Sequence, residues 1–192
     1  MPETMPLNLL KKIRDENPCL EGEKTVLELF SDKHLSETYI DWLNDPVVCQ
    51  FNSHGSLRYT LEKAKAYLER IRNSENTIVF AICEKDNRKH IGNISINDIS
   101  WNHHFGEISI LIGEKGCWGK GFGTDAFKLA IDFGFKELKL HRLWIGMTTN
   151  NVGMIRIAER LGFRHEGILK EAFYKNGTYG DITQWAILNP NG

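Results

Sequence analysis

Along the chain the apolar positions switch between a period of two and a period near 3.6, and the switches divide it into strands and helices. The longest continuous signal runs from Glu107 to Phe135. Ile108, Ile110 and Ile112 alternate with Ser109 and Leu111, which predicts a strand over 107–113 buried on one face and nearly buried on the other. From Ala126 the residues Phe127, Ala130, Ile131, Gly134, Phe135 and Leu138 recur every three or four positions, one face of a helix. Between the two lie Gly116, Gly119, Gly121 and Gly123. Glycines at that density let backbone N–H groups turn toward one point, and the helix that follows adds its own unpaired donors and positive dipole end. Such a loop suits phosphate.

The flanking chain reads as more strands and helices. Thr25 to Phe30 alternates as a strand, and Ser31 or Asp32 can cap a helix carrying Leu35, Tyr39, Trp42 and Leu43, which Asn44-Asp45-Pro46 ends. Thr60 can cap a second helix through Tyr67, Leu68 and Ile71. Thr77 to Cys83 and His90 to Ile99 read as strands joined by a turn at Lys85-Asp86-Asn87-Arg88. Arg142 to Met147 is an apolar strand, and Asn150-Asn151 precedes a helix from Val152 to Leu161 that stops at Gly162. Phe163 to Leu169 and Gly180 to Leu188 supply two last strands, with Asn176-Gly177 marking a turn between them. Residues 1–22 are polar, with Pro2, Pro6 and Pro18, and carry only Leu7, Leu9, Leu10 and Ile13 as a pattern; they read as an N-terminal extension with a short helix. Residues 23–192 then form a single α/β domain, since no repeat or low-complexity segment divides them.

Composition narrows the partners. The 192 residues suit one domain, and a formal charge of −1 gives no whole-protein attraction to nucleic acid. Cys19, Cys49, Cys83 and Cys117 are scattered without a C-x-x-C pair, which suits free thiols in a reducing compartment and argues against a zinc site. No apolar run is long enough for a membrane helix and no apolar signal core follows Met1, so a cytoplasmic protein is expected.

Spacing separates the kinds of phosphate loop. The Walker pattern needs Gly-Lys-Ser/Thr, whereas Gly123 is followed by Thr124 and Asp125, which excludes it. Gly121, Gly123 and Ala126 satisfy the dinucleotide pattern G-x-G-x-x-A, but Glu114 to Trp118 intervene between the strand and the first of these glycines, and the unit sits late in the chain. The segment Trp118-Gly119-Lys120-Gly121-Phe122-Gly123-Thr124 resembles the pyrophosphate loop of the GNAT superfamily of acetyl-CoA-dependent N-acetyltransferases, whose motif is Q/R-x-x-G-x-G/A. Trp118 in the first place is similar to the branch containing ribosomal-protein N-terminal and spermidine acetyltransferases, and Tyr39-Ile-Asp-Trp-Leu-Asn-Asp-Pro-Val-Val resembles that branch's first helix. The resemblance extends roughly from Lys24 to Leu188. It implies a GNAT acyltransferase fold: a mixed, mostly antiparallel sheet of about seven strands, with two splayed central parallel strands and about four flanking helices.

It also implies a site. The splayed strands are Glu107 to Gly113 and Arg142 to Met147, with the backbone of Ile110, Leu111 and Ile112 pairing the pantetheine arm of coenzyme A and Trp118 to Thr124 holding its pyrophosphate. Asn151 matches a family asparagine that hydrogen-bonds the pantetheine, and it equally suits a helix N-cap. Lys115, Lys120 and Lys128 are further phosphate candidates. The implied chemistry is acetyl transfer to an amine, with acetyl-CoA as cosubstrate and no metal. Glu107 stands where relatives place a base or acceptor-binding carboxylate; an edge glutamate facing water is the alternative. His103 and His104 are secondary candidates. The family's N-x-x-S…L-G-F pattern falls on Asn151 and Leu161-Gly162-Phe163, which puts Met154 and Ala158 where a serine and a tyrosine would protonate the thiolate. Neither can donate a proton, so Tyr174 and Tyr179 are candidate substitutes. Asp181, in Asn-Gly-x-Tyr-x-Asp, suits either the acceptor amine or a turn. Ser53, His54, Trp101, His103 and His104 favour a small-molecule amine such as an amino sugar as acceptor, with a protein N-terminus or polyamine as alternatives. A non-catalytic acyl-CoA-binding module and a nucleotide-binding protein are the other classes. The expected assembly is a monomer or homodimer, with neither nucleic acid nor membrane as partner.

Overall fold

The computed structural model describes residues 9–52 and 58–191. Among these, eight strands form one sheet. In chain order the elements are α1 (Leu9–Glu16), β1 (Cys19–Glu21), β2 (Thr25–Leu29), α2 (Glu37–Asn44), α3 (Leu61–Arg72), β3 (Ile78–Glu84), β4 (His90–Ser100), β5 (Phe105–Ile112), α4 (Phe122–Lys136), β6 (Arg142–Thr148), α5 (Val152–Arg160), β7 (Arg164–Lys175) and β8 (Thr178–Leu188). The spatial order is β1-β2-β3-β4-β5-β6-β8-β7, and β5 with β6 is the parallel pair. A parallel pair needs a crossover, and α4 supplies it.

The sheet is covered on both faces. Ile108 on β5 and Leu143, Ile145 and Met147 on β6 face Ala126, Phe127, Ala130 and Phe133 of α4 and Ala158 of α5. On the other face Val79, Ala81 and Cys83 of β3 pack against Tyr39, Trp42 and Leu43 of α2 and Ala64 and Leu68 of α3. That second layer stops at β5, where only Leu111 joins it. Among the described residues the face of β6 and β8 opposite α4 is therefore left without a helix.

Eight strands and five helices exceed the expected seven and four because residues 9–21, read as extension, fold into α1 and β1. Leu10 and Ile13 enter the main core, Arg14 donates to the carbonyls of Ser74 and Thr77 at 2.7 and 2.8 Å, and β1 pairs with β2. The short helix expected in this extension is α1, whereas β1 was hidden, because a three-residue edge strand carries almost no periodic signal. The cap of α2 is Ser36, whose hydroxyl accepts from Tyr39 N at 3.1 Å; Ser31 instead caps the short 3₁₀ turn Asp32–His34. β7 and β8 run up to Asn176-Gly177, whose φ values of 52° and 81° make a two-residue turn that matches strand twist.

Candidate active site

The site grows from one feature of register. β5 pairs with β6 only at Phe105↔Arg142, Gly106↔Leu143 and Glu107↔Trp144. Past Glu107 the two strands separate, while β5 remains paired to β4 as far as Gly92↔Ile112. The backbone of β5 from Ile108 to Ile112 thus has one side free of strand partners, and Glu107 stands at the apex of the wedge. Buried backbone groups require partners, so an extended amide-bearing chain suits this edge.

The glycine loop closes the wide end. The helix α4 begins at Phe122 with Gly121 as N-cap at φ 91°, and no side chain caps it, so the N–H groups of its first turn point outward unclaimed. A Cβ on Gly119, at φ 72°, would meet nothing within 4 Å, so the space above the loop is open. Beneath it, a Cβ on Gly123 would make ordinary contact with Ile157, Ile112 and Ile110, which form an apolar floor. The Trp118 indole donates to the Ile112 carbonyl at 2.8 Å, tying the loop to the end of β5. An anionic head with an amide-bearing arm fits this combination: donors at a helix N-terminus, then an unpaired strand edge.

Glu107 is half-buried, and burial pushes its carboxyl above the ordinary range; Asp98 adds to the rise and a hydrogen bond with Ser109 opposes it. Paired residues share a face, so Asn97, Glu107, Trp144 and Ala186 lie side by side, with Ser95 beside Ser109 and Gln184 beside Gly146. Glu107 shares this face with neutral polar groups and with Arg142, which is ion-paired to Glu166, and Asp98 is close enough to act on it. His103 and His104 lie in the turn just before β5; the His104 carbonyl accepts from His141 N and Arg142 N at 2.7 and 3.0 Å, and His103 stacks on Phe105.

Other expected residues are differently placed. Asp181 pairs with Lys170 at 2.8 Å and accepts from Glu171 N at 3.0 Å; the Lys170 ammonium holds its carboxyl below the usual range. Glu171 has φ 50° beside a break in the β7 register, so Asp181 holds that bulge together. Tyr174 and Tyr179 pair at the hairpin tip, 62% and 63% exposed, with ring centroids 4.8 Å apart. Tyr179 lies seven residues along β8 from Ala186, the neighbour of Trp144, or roughly 23 Å of extended strand. Lys175 Nζ donates to Cys49 O and Asn52 O, which docks the hairpin on the segment after α2. The Asn151 side chain accepts from Met154 N at 3.2 Å as N-cap of α5, leaving its NH₂ for a ligand. Met154 packs against the core and Ala158 is fully buried. Lys115 pairs with Asp45 at 2.6 Å and Trp101 donates to Glu75 O at 2.8 Å, so both are engaged. Ser53 and His54 lie outside the described residues.

Sequence reasoning missed Lys24, Asp125, Arg160 and Thr148. The first three line a cavity of about 350 Å³ with Lys120, Gly121, Thr124 and Lys128. The Thr148 hydroxyl, on β6 in the wedge, is buried without a hydrogen-bond partner among the described residues. Glu28, His34 and Cys83 bring ligand-type atoms within 4.8 Å of one another. The grouping does not suit a metal, because His34 Nδ1 accepts from Ser31 N at 3.0 Å and the neutral ring then carries its proton on Nε2. Cys117 is buried and its thiol is pushed up to about 11 by burial and by Glu84, which fits packing.

A strand pair splayed at its midpoint over a glycine loop defines an acyltransferase fold, and the family comparison agrees. Residues 24–164 match the acetyltransferase (GNAT) domain, and the chain belongs to that family of N-acetyltransferases. The chain is 35% identical over 122 residues to the probable N-acetyltransferase YjcK of Bacillus subtilis, covering 56% of this chain and 66% of YjcK. It is 31% identical over 107 residues to a spermidine N(1)-acetyltransferase of Vibrio cholerae, covering 56% of this chain and 61% of that protein. The chain thus spans just under two thirds of each of these relatives. Mycobacterium smegmatis RimJ, solved with a coenzyme A disulfide, superposes with a TM-score of 0.82 at 15% identity, covering 91% of this chain and 89% of that one, which is a likeness of fold.

Proposed function

We propose that this N-acetyltransferase uses acetyl-CoA to acetylate the primary amine of a small polar molecule, with an amino sugar as the favoured class. The observation that carries the reading is the wedge between β5 and β6, with a half-buried carboxylate at its apex and an uncapped glycine loop at its mouth. Acetyl-CoA supplies an activated acyl group whose thiolate is a tolerable leaving group. The free edge of Ile110, Leu111 and Ile112 is suited to the pantetheine amides, the N–H groups of Trp118 to Thr124 to the diphosphate, and the Asn151 NH₂ to the arm between them. Glu107 takes the proton from the incoming ammonium, a role for which its raised pKa makes it a better acceptor than an ordinary carboxylate. The unpaired N–H groups of β5 beyond Glu107 are the available donors for a developing oxyanion. Asp181 remains a candidate for orienting the acceptor only if Lys170 leaves it, and Tyr174 only if the hairpin tip folds over the wedge.

The acceptor class follows from charge. Polyamines carry several cations and call for a run of unpaired carboxylates, whereas Glu107, with Asp98 near it, stands among Asn97, Ser95, Ser109 and Gln184 beside the Trp144 ring. Neutral hydrogen-bonding groups with one aromatic surface suit a hydroxyl-bearing amine. The test is thiol release from acetyl-CoA in the presence of amino sugars, spermidine, and peptides with free amino termini. Amino-sugar-dependent release supports the reading; release driven by spermidine or peptides alone reassigns the acceptor, and no release with any amine leaves a module that binds acyl-CoA without turnover.

A further inference from the structure

The first turn of α4 carries an apparent fault. Asp125 lies three residues past the helix start, where its charge would repel the phosphates that the uncapped N-terminus attracts. The structure occupies that carboxylate with donors from another segment. Asp125 is 7% exposed and accepts four hydrogen bonds from a segment a hundred residues earlier: Glu23 N at 3.2 Å, Lys24 N at 3.0 Å, Thr25 N at 2.9 Å and Thr25 Oγ1 at 2.7 Å. Burial raises its pKa, but the Thr25 hydroxyl and the three N–H groups outweigh that and hold the carboxyl below the usual range. The fit leaves no slack, since a Cβ on Gly22 would stand 2.3 Å from Asp125 Oδ2.

The latch has a second consequence. With its backbone N–H held by Asp125, Lys24 sends its side chain back across the glycine loop, where Nζ donates to Lys120 O at 2.8 Å and lies 6.0 Å from the centre of the Phe122 ring. The same ammonium stands 3.7 Å from where a Gly121 Cβ would be. An ammonium has three N–H donors and this one uses one of them on the loop. Lys120, Lys128 and Arg160 border the same cavity and form no ion pair among the described residues.

We propose that Lys24 is a ligand for the diphosphate of the cofactor, and that Asp125 is the positioning residue that delivers it there. The inference rests on the acetyl-CoA reading above and adds to it a cation that the loop motif does not contain. The turn between β1 and β2 becomes the second jaw of the phosphate site: the loop offers directed N–H groups and Lys24 offers charge. Asp125 serves the site by gripping that turn, and its own charge is spent on four donors of the Glu23–Thr25 segment.

Calorimetry of coenzyme A binding to the full chain tests this. Lys24→Met, a change on an exposed side chain, should weaken coenzyme A about tenfold, the effect of losing one partly exposed charge-assisted hydrogen bond. The same loss should appear with 3′-dephospho-coenzyme A, because Lys24 serves the diphosphate. Thr25→Val, which removes one latch donor and keeps the strand, should weaken binding about threefold alone and add nothing in the Lys24→Met background. Unchanged affinity in Lys24→Met overturns the proposal, as does a loss confined to coenzyme A with its 3′-phosphate. Additive effects of the two substitutions remove Asp125 and its latch from the role of positioning Lys24. Absence of coenzyme A binding by the unsubstituted chain would instead refute the cofactor reading itself.

Discussion

Glu107→Gln is the substitution that separates chemistry from packing at the apex of the wedge. Glutamine keeps the shape of the side chain and its hydrogen bond with Ser109, and it removes only the ability to take a proton. The loss can be bounded from the acceptor. An amine with lysine's ordinary pKa of about 10.4 is neutral in roughly one molecule in 10³ at pH 7, so proton removal contributes at most about 10³, and a loss on the order of 10² is expected. An amine that titrates near 8, as an α-amino group does, is already about one tenth neutral at pH 7, and the expected loss shrinks to about tenfold. Burial and Asp98 raise the Glu107 pKa, so the acid limb of kcat/KM in the unsubstituted chain should lie above the range of an ordinary carboxylate, and in Glu107→Gln it should be replaced by a rise that follows the titration of the amine itself. The assay is thiol release from acetyl-CoA with the identified amine between pH 5.5 and about 10, beside calorimetry of coenzyme A binding, which should be unchanged. Near-normal turnover at neutral pH, with the acid limb intact, would return Glu107 to a structural role and direct attention to His103 and His104.

Gly121→Val forces a β-branched residue into φ 91° at the mouth of the phosphate loop; coenzyme A affinity measured by calorimetry should fall at least tenfold, and unchanged affinity in a folded variant would remove the loop from the cofactor site. Asp125→Ala strands three N–H groups and a hydroxyl in a largely buried position, so urea unfolding should show a loss of about 3 kcal/mol; a change under about 1 kcal/mol would mean that water replaces the latch at little cost. His34 is buried against Phe30 and His90, and its pKa is lowered from 6.5 to about 4, first by burial and then by His90 and Lys33. The folded state excludes a proton that the unfolded chain accepts, so its contribution is intact above pH 6.5 and is lost as pH falls toward 4, up to about 3 kcal/mol; unfolding midpoints at pH 7.5 and 5 that shift equally in His34→Gln and the unsubstituted chain would refute it.

The residues that sequence alone identified are those whose signal is local. Alternation of Ile108, Ile110 and Ile112, the run Gly119, Gly121 and Gly123, and the recurrence of Phe127, Ala130 and Ile131 each lie within a few residues, so side-chain periodicity and the backbone freedom of glycine expose them directly. They were enough to place the central strand, the glycine loop and the helix after it, while the family came from the resemblance of Trp118 to Thr124 and of Tyr39 to Val48 to known motifs. Which residue stands at the apex could be suspected at Glu107, but the apex is defined by where pairing with Trp144 stops, and pairing between strands is a property of two segments at once. The same limit hid the engagement of Asp181 with Lys170, since a bulge in β7 decides which side chain meets it. It hid the latch most completely. Neither Asp125 nor Lys24 carries a local signal in the sequence; their connection exists only because α4 and the start of β2 are packed together across a hundred residues. Local physics therefore determined the elements and the glycine loop, while the tertiary structure decided which free edges, charges and donors converge, because hydrogen bonds and charges act over ångströms of space and are indifferent to distance along the chain.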